Sequence, residues 1–206
     1  MNVRFFFLLF AVLPICGCFT PVSIMYETAH SLEPGESNLI VAGAVNPETE
    51  ASNQGASVTA IYNRGVTSNM DMRLRVEKRF EEDLYIQGVN IAMPYTFLEA
   101  SPKWSKNSGQ FAFALPLQMY ASLGESIFSV DPRFIFTKRD IENNIELTGV
   151  LRSQIAVVEG EFGIIPGASI GLGISEDFDK QVIRLEVGGT ATGVIQIGLG
   201  IQTKLK

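Results

Sequence analysis

From residue 37 onward the chain repeats one pattern and never sustains a helical period. Runs of roughly ten residues alternate large apolar side chains with polar or small ones, and each run ends in a cluster of Gly, Asn, Asp, Ser, Glu or Lys. The runs fall near 37–46, 56–63, 70–79, 84–94, 109–120, 126–138, 143–155, 161–175, 180–188 and 192–205. A side-chain period of two is that of a strand whose faces meet different surroundings. Connections such as 138–143, 175–180 and 188–191 are short enough for successive antiparallel hairpins, while 99–109 reads as one longer loop. A meander of about ten strands, with no helix to cover its edges, is best satisfied by closing on itself. The expected fold is therefore all-β: an antiparallel up-and-down barrel of about ten strands (eight to twelve), the last paired with the first.

The two parities of these runs carry different chemistry. One is large and apolar: Met70, Met72, Leu74 and Val76, then Phe111, Phe113, Leu115, Leu117 and Met119, then Phe128, Val130, Phe134 and Phe136. The other carries Asp71, Arg73, Arg75, Glu77, Asp131, Arg133, Glu146, Arg152, Arg184 and Glu186, and elsewhere Gly, Ala or Ser. Glycine weakens a strand unless something approaches it closely, so glycines beside Arg and Glu point to a crowded polar interior. Lysines read as confined to run ends and loops, leaving the mid-run cations to Arg, which suits fixed, partly buried pairs. In the last run, Ile195, Ile197, Leu199 and Ile201 are expected to face hydrocarbon, and Gln196, Gly198 and Gly200 a polar lumen. Runs of this length match the 9 to 11 residues a tilted strand needs to cross a bilayer. In so narrow a barrel the charges are expected to form a salt-bridged filling rather than an open solute path. Arg133 can lie opposite Glu146, and Arg75 opposite Gly88.

The chain begins with one cation at Arg4, an apolar run from Phe5 to Leu13 and small residues before Cys18, the pattern of an export signal. The run is too short for a spanning helix. Ile15-Cys16-Gly17-Cys18 resembles the lipobox of bacterial lipoproteins, which implies cleavage before Cys18 and acylation of Cys18, so that membrane lipid is a partner through that residue. The expected organisation is a lipoprotein signal peptide over 1–17, a lipidated tether over 18–36 and a barrel domain over 37–206. No disulfide can form once Cys16 is removed.

Residues 63–76, NRGVTSNMDMRLRV, resemble a turn-and-strand segment of bacterial outer-membrane β-barrel proteins, with Arg64, Gly65, Thr67 and Asp71 in the matching places. That resemblance implies location more than activity.

Little in the chain points to catalysis. His30 is the only histidine and lies in the tether; with Ser23 and Glu27 it could form a rim site of a lipid-modifying barrel, but a solvated tether residue is the preferred reading. Glu176, Asp177 and Asp179 crowd one turn without the longer ligand loop that Ca²⁺ requires. The glycine-rich stretches open no helix, so they cradle no phosphate. No metal or cofactor is expected, and a formal charge of −6 disfavours a nucleic-acid partner. The sequence therefore reads as a non-catalytic outer-membrane lipoprotein forming a small transmembrane barrel, structural or a narrow solute pore. Two alternatives stay open: a lipid-tethered soluble lipocalin-like barrel binding an apolar ligand and, more remotely, the barrel enzyme.

Overall fold

The computed structural model describes residues 24–47, 55–81, 84–86, 89–91, 96–106, 109–122, 125–158 and 161–205. Its strands are β1 (Ser37–Asn46), β2 (Gly55–Thr67), β3 (Met70–Glu81), β4 (Leu84–Ile86), β5 (Val89–Ile91), β6 (Thr96–Ser105), β7 (Phe111–Ala114), β8 (Leu117–Ser122), β9 (Glu125–Val130), β10 (Arg133–Asp140), β11 (Ile145–Val158), β12 (Glu161–Asp177), β13 (Gln181–Thr190) and β14 (Ile195–Leu205). Among the described residues there is no helix.

Every pairing is antiparallel, and β1 closes on β14 from Ser37↔Leu205 to Val45↔Ile197. β7 with β8, and β9 with β10, are single strands interrupted once, so the closed barrel has ten staves, while β4 and β5, among the described residues, pair only with each other.

The interruptions have one cause. Proline cannot donate to a ladder. Here Pro102, Pro116, Pro132 and Pro166 form a seam across the staves. Their carbonyls accept from Leu115 (3.1 Å), Asp131 (3.1 Å), Ser153 (3.2 Å) and Ala191 (2.9 Å). β6 meets β8 on one side of this seam and β7 on the other.

Here the fold departs from the sequence reading. The stave expected at 84–94 is the small β4–β5 hairpin, and the expected loop at 99–109 holds most of the true stave, β6. Pro102 and the polar inward set Glu99, Ser101, Lys103 and Ser105 hide that strand's alternation. Arg75 consequently lies opposite Glu99 rather than Gly88, which is outside the described residues. Arg133 lies opposite Arg152, and Glu146 opposite Arg139, because the β10–β11 hairpin turns at 141–144.

The barrel is inside out relative to a water-soluble protein. Leu74, Leu117, Phe128, Leu151, Ile170, Ile183 and Leu199 stand outward and exposed, Phe128 at 65% and Leu199 at 58%. Trp104, Phe111, Phe113, Phe134 and Phe136 pack together on one part of this outer surface, with ring centroids 5.2 to 6.3 Å apart. Charged side chains lie within, Arg133, Asp131 and Glu146 with no exposure at all. On β14 the outward residues are Ile195, Ile197, Leu199 and Ile201, and the inward ones Gln196, Gly198 and Gly200. An apolar surface around the whole circumference is stable against hydrocarbon, and closure leaves no unpaired backbone edge there. The architecture is that of a transmembrane β-barrel.

Candidate functional site

What fills the lumen is the chain's own N-terminal segment. Residues 24–36, read from the sequence as part of a tether, run from the rim, where Glu33, Pro34 and Gly35 are exposed, into the barrel, where Ile24, Met25, Tyr26, Glu27 and Ala29 are buried. The absence of any period was legible; its cause was not. Over residues 24–32 this strap joins no ladder, so its polar groups are satisfied one by one by the wall.

Near the rim that carries Ser37 and Leu205, Gly35 and Glu36 exchange backbone hydrogen bonds with Gly65 at 2.9 Å. Leu32 N–H donates to Asp71 (3.1 Å). Lys103 Nζ reaches the carbonyls of Thr28 (3.0 Å) and His30 (2.7 Å) while pairing with Asp71 at 2.7 Å. Lys103 is thus an inward mid-strand cation, against the expectation that lysines keep to run ends. Deeper, Ala29 N–H donates to Thr137 Oγ1 (2.8 Å), Arg133 Nη1 holds Glu27 (2.9 Å), Arg73 donates to the Met25 carbonyl, and Arg75 donates to the Ile24 carbonyl (2.7 Å).

One residue of the strap is conformationally forced. Tyr26 has φ +49°, rare for a bulky side chain. The turn aims two successive N–H groups, of Met25 (2.8 Å) and Tyr26 (2.6 Å), at the two oxygens of Glu186, a backbone nest closed on a carboxylate. It also sends the Tyr26 ring toward β14 and β1, where its hydroxyl donates to the Gly43 carbonyl at 2.9 Å. That is why Gly198 is glycine: a Cβ there would overlap the Tyr26 hydroxyl. Gly65 has the same constraint from the Leu32 and Glu33 carbonyls, and Gly109 from the His30 ring.

The charges expected in the lumen are all buried there, but in a different network. Arg133 is its hub, holding Glu99, Glu27 (2.9 Å) and Asp131 (3.0 Å). Arg73 joins Glu99 at 3.0 Å, and Asp131 stands between Arg133 and Arg152, 3.5 Å from the latter. Glu77 pairs with Arg75 and lies 3.5 Å from Arg79. Glu146 is held by Arg184 (2.9 Å) and Arg139 (2.7 Å), not by Arg133. Elsewhere in the lumen, Gln154 Nε2 lies 2.8 to 3.0 Å from Tyr120 Oη, Gln118 Oε1 and Ser129 Oγ, between which its two hydrogens are shared. Sequence reading missed Glu99, Lys103, Arg79 and Arg139, and offered Glu27 only as part of a rim site. Glu99 and Lys103 share the parity of Phe97 and Ser105, which becomes readable once Pro102 is placed inside a strand.

The catalytic alternative gains no geometry. His30 Nε2 is 3.6 Å from Glu146 Oε2 and has no hydrogen-bond partner among the described residues. Ser23, like Cys18 and the whole segment 1–17, lies outside them. Asp177 spends its carboxylate on Lys180 (2.7 Å), and no three metal-ligating side chains cluster among the described residues. A polar recess of about 310 Å³ opens at the rim between His30, Arg139, Phe178, Arg184 and Lys204.

No family model matches the chain, and no curated protein does. Among solved structures, it is similar to a de novo designed transmembrane β-barrel, at 10% identity over 85% of this chain and 99% of that one, TM-score 0.39. It is also similar to the KdgM porin, at 10% identity over 83% and 99%, TM-score 0.40. A third is a loop-deletion mutant of OmpT, an outer-membrane protein of Vibrio cholerae, at 8% identity over 82% of this chain and 62% of that one, TM-score 0.38.

Proposed function

We propose that the protein is a lipid-anchored outer-membrane barrel that is closed by its own N-terminal strap and performs no catalysis. The observation that carries this reading is the strap itself. Glu27 and the carbonyls of Ile24, Met25, Thr28 and His30 accept from Arg133, Arg75, Arg73 and Lys103, cations that would otherwise line a water-filled passage. A charge network of this density resists displacement by a passing solute, because each pair broken in a low-dielectric interior leaves a charge uncompensated. A carrier of apolar ligands would need an apolar cavity, whereas the described interior is charged and filled. The lipobox and the leader before it support anchoring through Cys18.

The test is conductance in planar lipid bilayers. The full chain is expected to insert without opening a steady ohmic path. Deletion of 24–33 is expected to open one that favours anions, since the wall then keeps Arg73, Arg75, Arg79, Lys103, Arg133, Arg152 and Arg184 against Asp71, Glu77, Glu99, Asp131, Glu146 and Glu186. Sustained conductance by the intact chain would overturn the closed-barrel reading. Anchoring is tested separately: Cys18→Ser should abolish fatty-acid labelling and leave an unprocessed precursor.

A further inference from the structure

We infer that the outer surface of the barrel carries a seat for one anionic phospholipid: an apolar groove over Gly149 takes an acyl chain, and Lys138 with Lys106 takes the headgroup phosphate. This rests on the transmembrane reading of the barrel and is independent of the lipid anchor and of the strap.

The groove begins with a missing side chain. On the outward parity of β11, Gly149 lies between the exposed Leu147 and Leu151, and a Cβ added at Gly149 would meet nothing within 4 Å. Its partners across the ladder are Phe136 on β10 and Ile170 on β12, both exposed. Between them runs a groove of about 630 Å³, bordered also by Gln110, Lys138 and Leu147. One wall is stiff: the Phe136 ring meets Phe111 edge-on at 5.2 Å, and Phe111 and Phe113 in turn pack on Phe134. A fixed notch of this kind orders the acyl chain that enters it, whereas a smooth wall leaves its lipids fluid.

Two cations stand at one end of the groove. Lys138 follows Phe136 on the outward face of β10 and is exposed. Lys106, exposed on the parity of Trp104, donates its backbone N–H to the Phe111 carbonyl (2.9 Å) and so lies level with Phe111 and Phe136. Strand spacing puts the two backbones about 12 Å apart, a gap that two lysine stems can close on one phosphate. Lys103, Lys180 and Lys204 are already paired, with Asp71, Asp177 and Glu36. Among the described residues Lys106 and Lys138 have no ion-pair partner, and Asp140, next on that face, accepts from Asn143 N–H (3.2 Å) and Nδ2 (2.8 Å).

Depth agrees with this assignment. Lys138 is two residues from the end of β10 and Gly149 four from the start of β11. At a strand tilt of about 40° they lie about 5 and 10 Å below the 141–144 turn. Cations at headgroup depth above an apolar groove repeat the order of groups in an anionic phospholipid. A second copy of this chain, seated here by a two-fold contact, would bring four ammonium groups together, which like-charge repulsion disfavours.

The test uses the folded full chain in vesicles of equal phosphatidylglycerol and phosphatidylcholine, with one lipid or the other carrying brominated acyl chains. In a Trp104→Phe background, Ile170→Trp reports from the groove and Leu199→Trp from elsewhere on the outer surface; should Ile170→Trp not fold, Leu147→Trp takes its place. At 170, phosphatidylglycerol is expected to quench as though enriched on the order of tenfold, the preference that two lysines near a lipid surface confer. At 199 the two lipids should quench alike. Lys106→Gln with Lys138→Gln should abolish the enrichment, and Gly149→Leu, which fills the groove and keeps the charge, should cut it severalfold. Equal quenching at 170, or enrichment untouched by Gly149→Leu, overturns the inference. So does a dimer in native mass spectrometry that Gly149→Leu dissolves, which would give this face to a second copy. No quenching at either position would sink the transmembrane reading itself, and this inference with it.

Discussion

The strap lies between two walls that receive it differently. Toward β14, β1 and β2 it meets Gly198, Gly200, Ala42, Ile40 and Ile61, and fills that side by volume with Ile24 and the Tyr26 ring. Toward β3, β6, β10 and β11 it meets Arg73, Arg75, Lys103, Arg133 and Arg152, and satisfies that side by charge with Glu27 and its own carbonyls, Met25 and Ala29 filling the remaining apolar space. The same segment is a core side chain to one wall and a counter-ion to the other. The difference teaches where failure is most costly: shape mismatch can be relieved by local shifts, whereas a stranded charge in a closed lumen has no partner to find.

The charged wall should therefore break hardest. Arg133→Ala leaves Glu27, Glu99 and Asp131 crowded without their shared cation, Arg73 and Arg152 reaching only part of the set. A loss on the order of 3 to 5 kcal/mol is expected. Urea unfolding of the barrel in vesicles, followed by the single tryptophan, Trp104, measures it. A loss under about 1 kcal/mol would mean that water reaches the network, which contradicts a closed lumen.

The small-residue wall gives the sharper comparison, because its cost should be reversible. Gly198→Val drives a side chain into the Tyr26 hydroxyl and should cost roughly 1 to 3 kcal/mol. Tyr26→Ala removes the obstacle, so in the double variant the two substitutions should couple, their combined loss falling short of the sum. Simple additivity would show that the strap does not sit against Gly198. Arg133→Ala admits no such rescue by Tyr26→Ala, and that contrast separates volume from charge.

This division also explains what could be read from the sequence. The barrel, its closure and the inward parity of Arg73, Arg75, Asp131, Arg133, Glu146 and Glu186 follow from a period of two, which each strand reports locally. Pairings such as Arg133 with Glu99 and Glu27 depend on which staves are neighbours. Misplacing one stave at Pro102 assigned Arg75 the wrong partner, and the register of the β10–β11 turn assigned Arg133 the wrong one. The strap was least legible, since its fit is written in distant residues: Gly65, Gly109 and Gly198 are glycine because of Glu33, His30 and Tyr26. Gly198 did signal crowding, but the sequence alone offered only ionic side chains to cause it, while Gly65 and Gly109 read as turn and loop glycines.

The smallest effect is expected on the outer surface, and it decides what that surface meets. Leu199 is outward on β14, and its inward neighbours Gly198 and Gly200 border the strap, so the two faces of one strand can be compared with one kind of substitution. Against fluid acyl chains, added bulk displaces lipid and meets no fixed neighbour, so Leu199→Trp should change stability by no more than about 0.5 kcal/mol. In a packed protein core the same change would cost roughly 1 to 3 kcal/mol. The new ring also reports its surroundings. With Trp104 replaced by Phe, a Trp placed at 199 should be quenched by brominated acyl chains, whereas one placed at 198, if that variant folds, should not be. Tolerance at 198 together with failure at 199 would turn the barrel's faces around and with them the membrane reading.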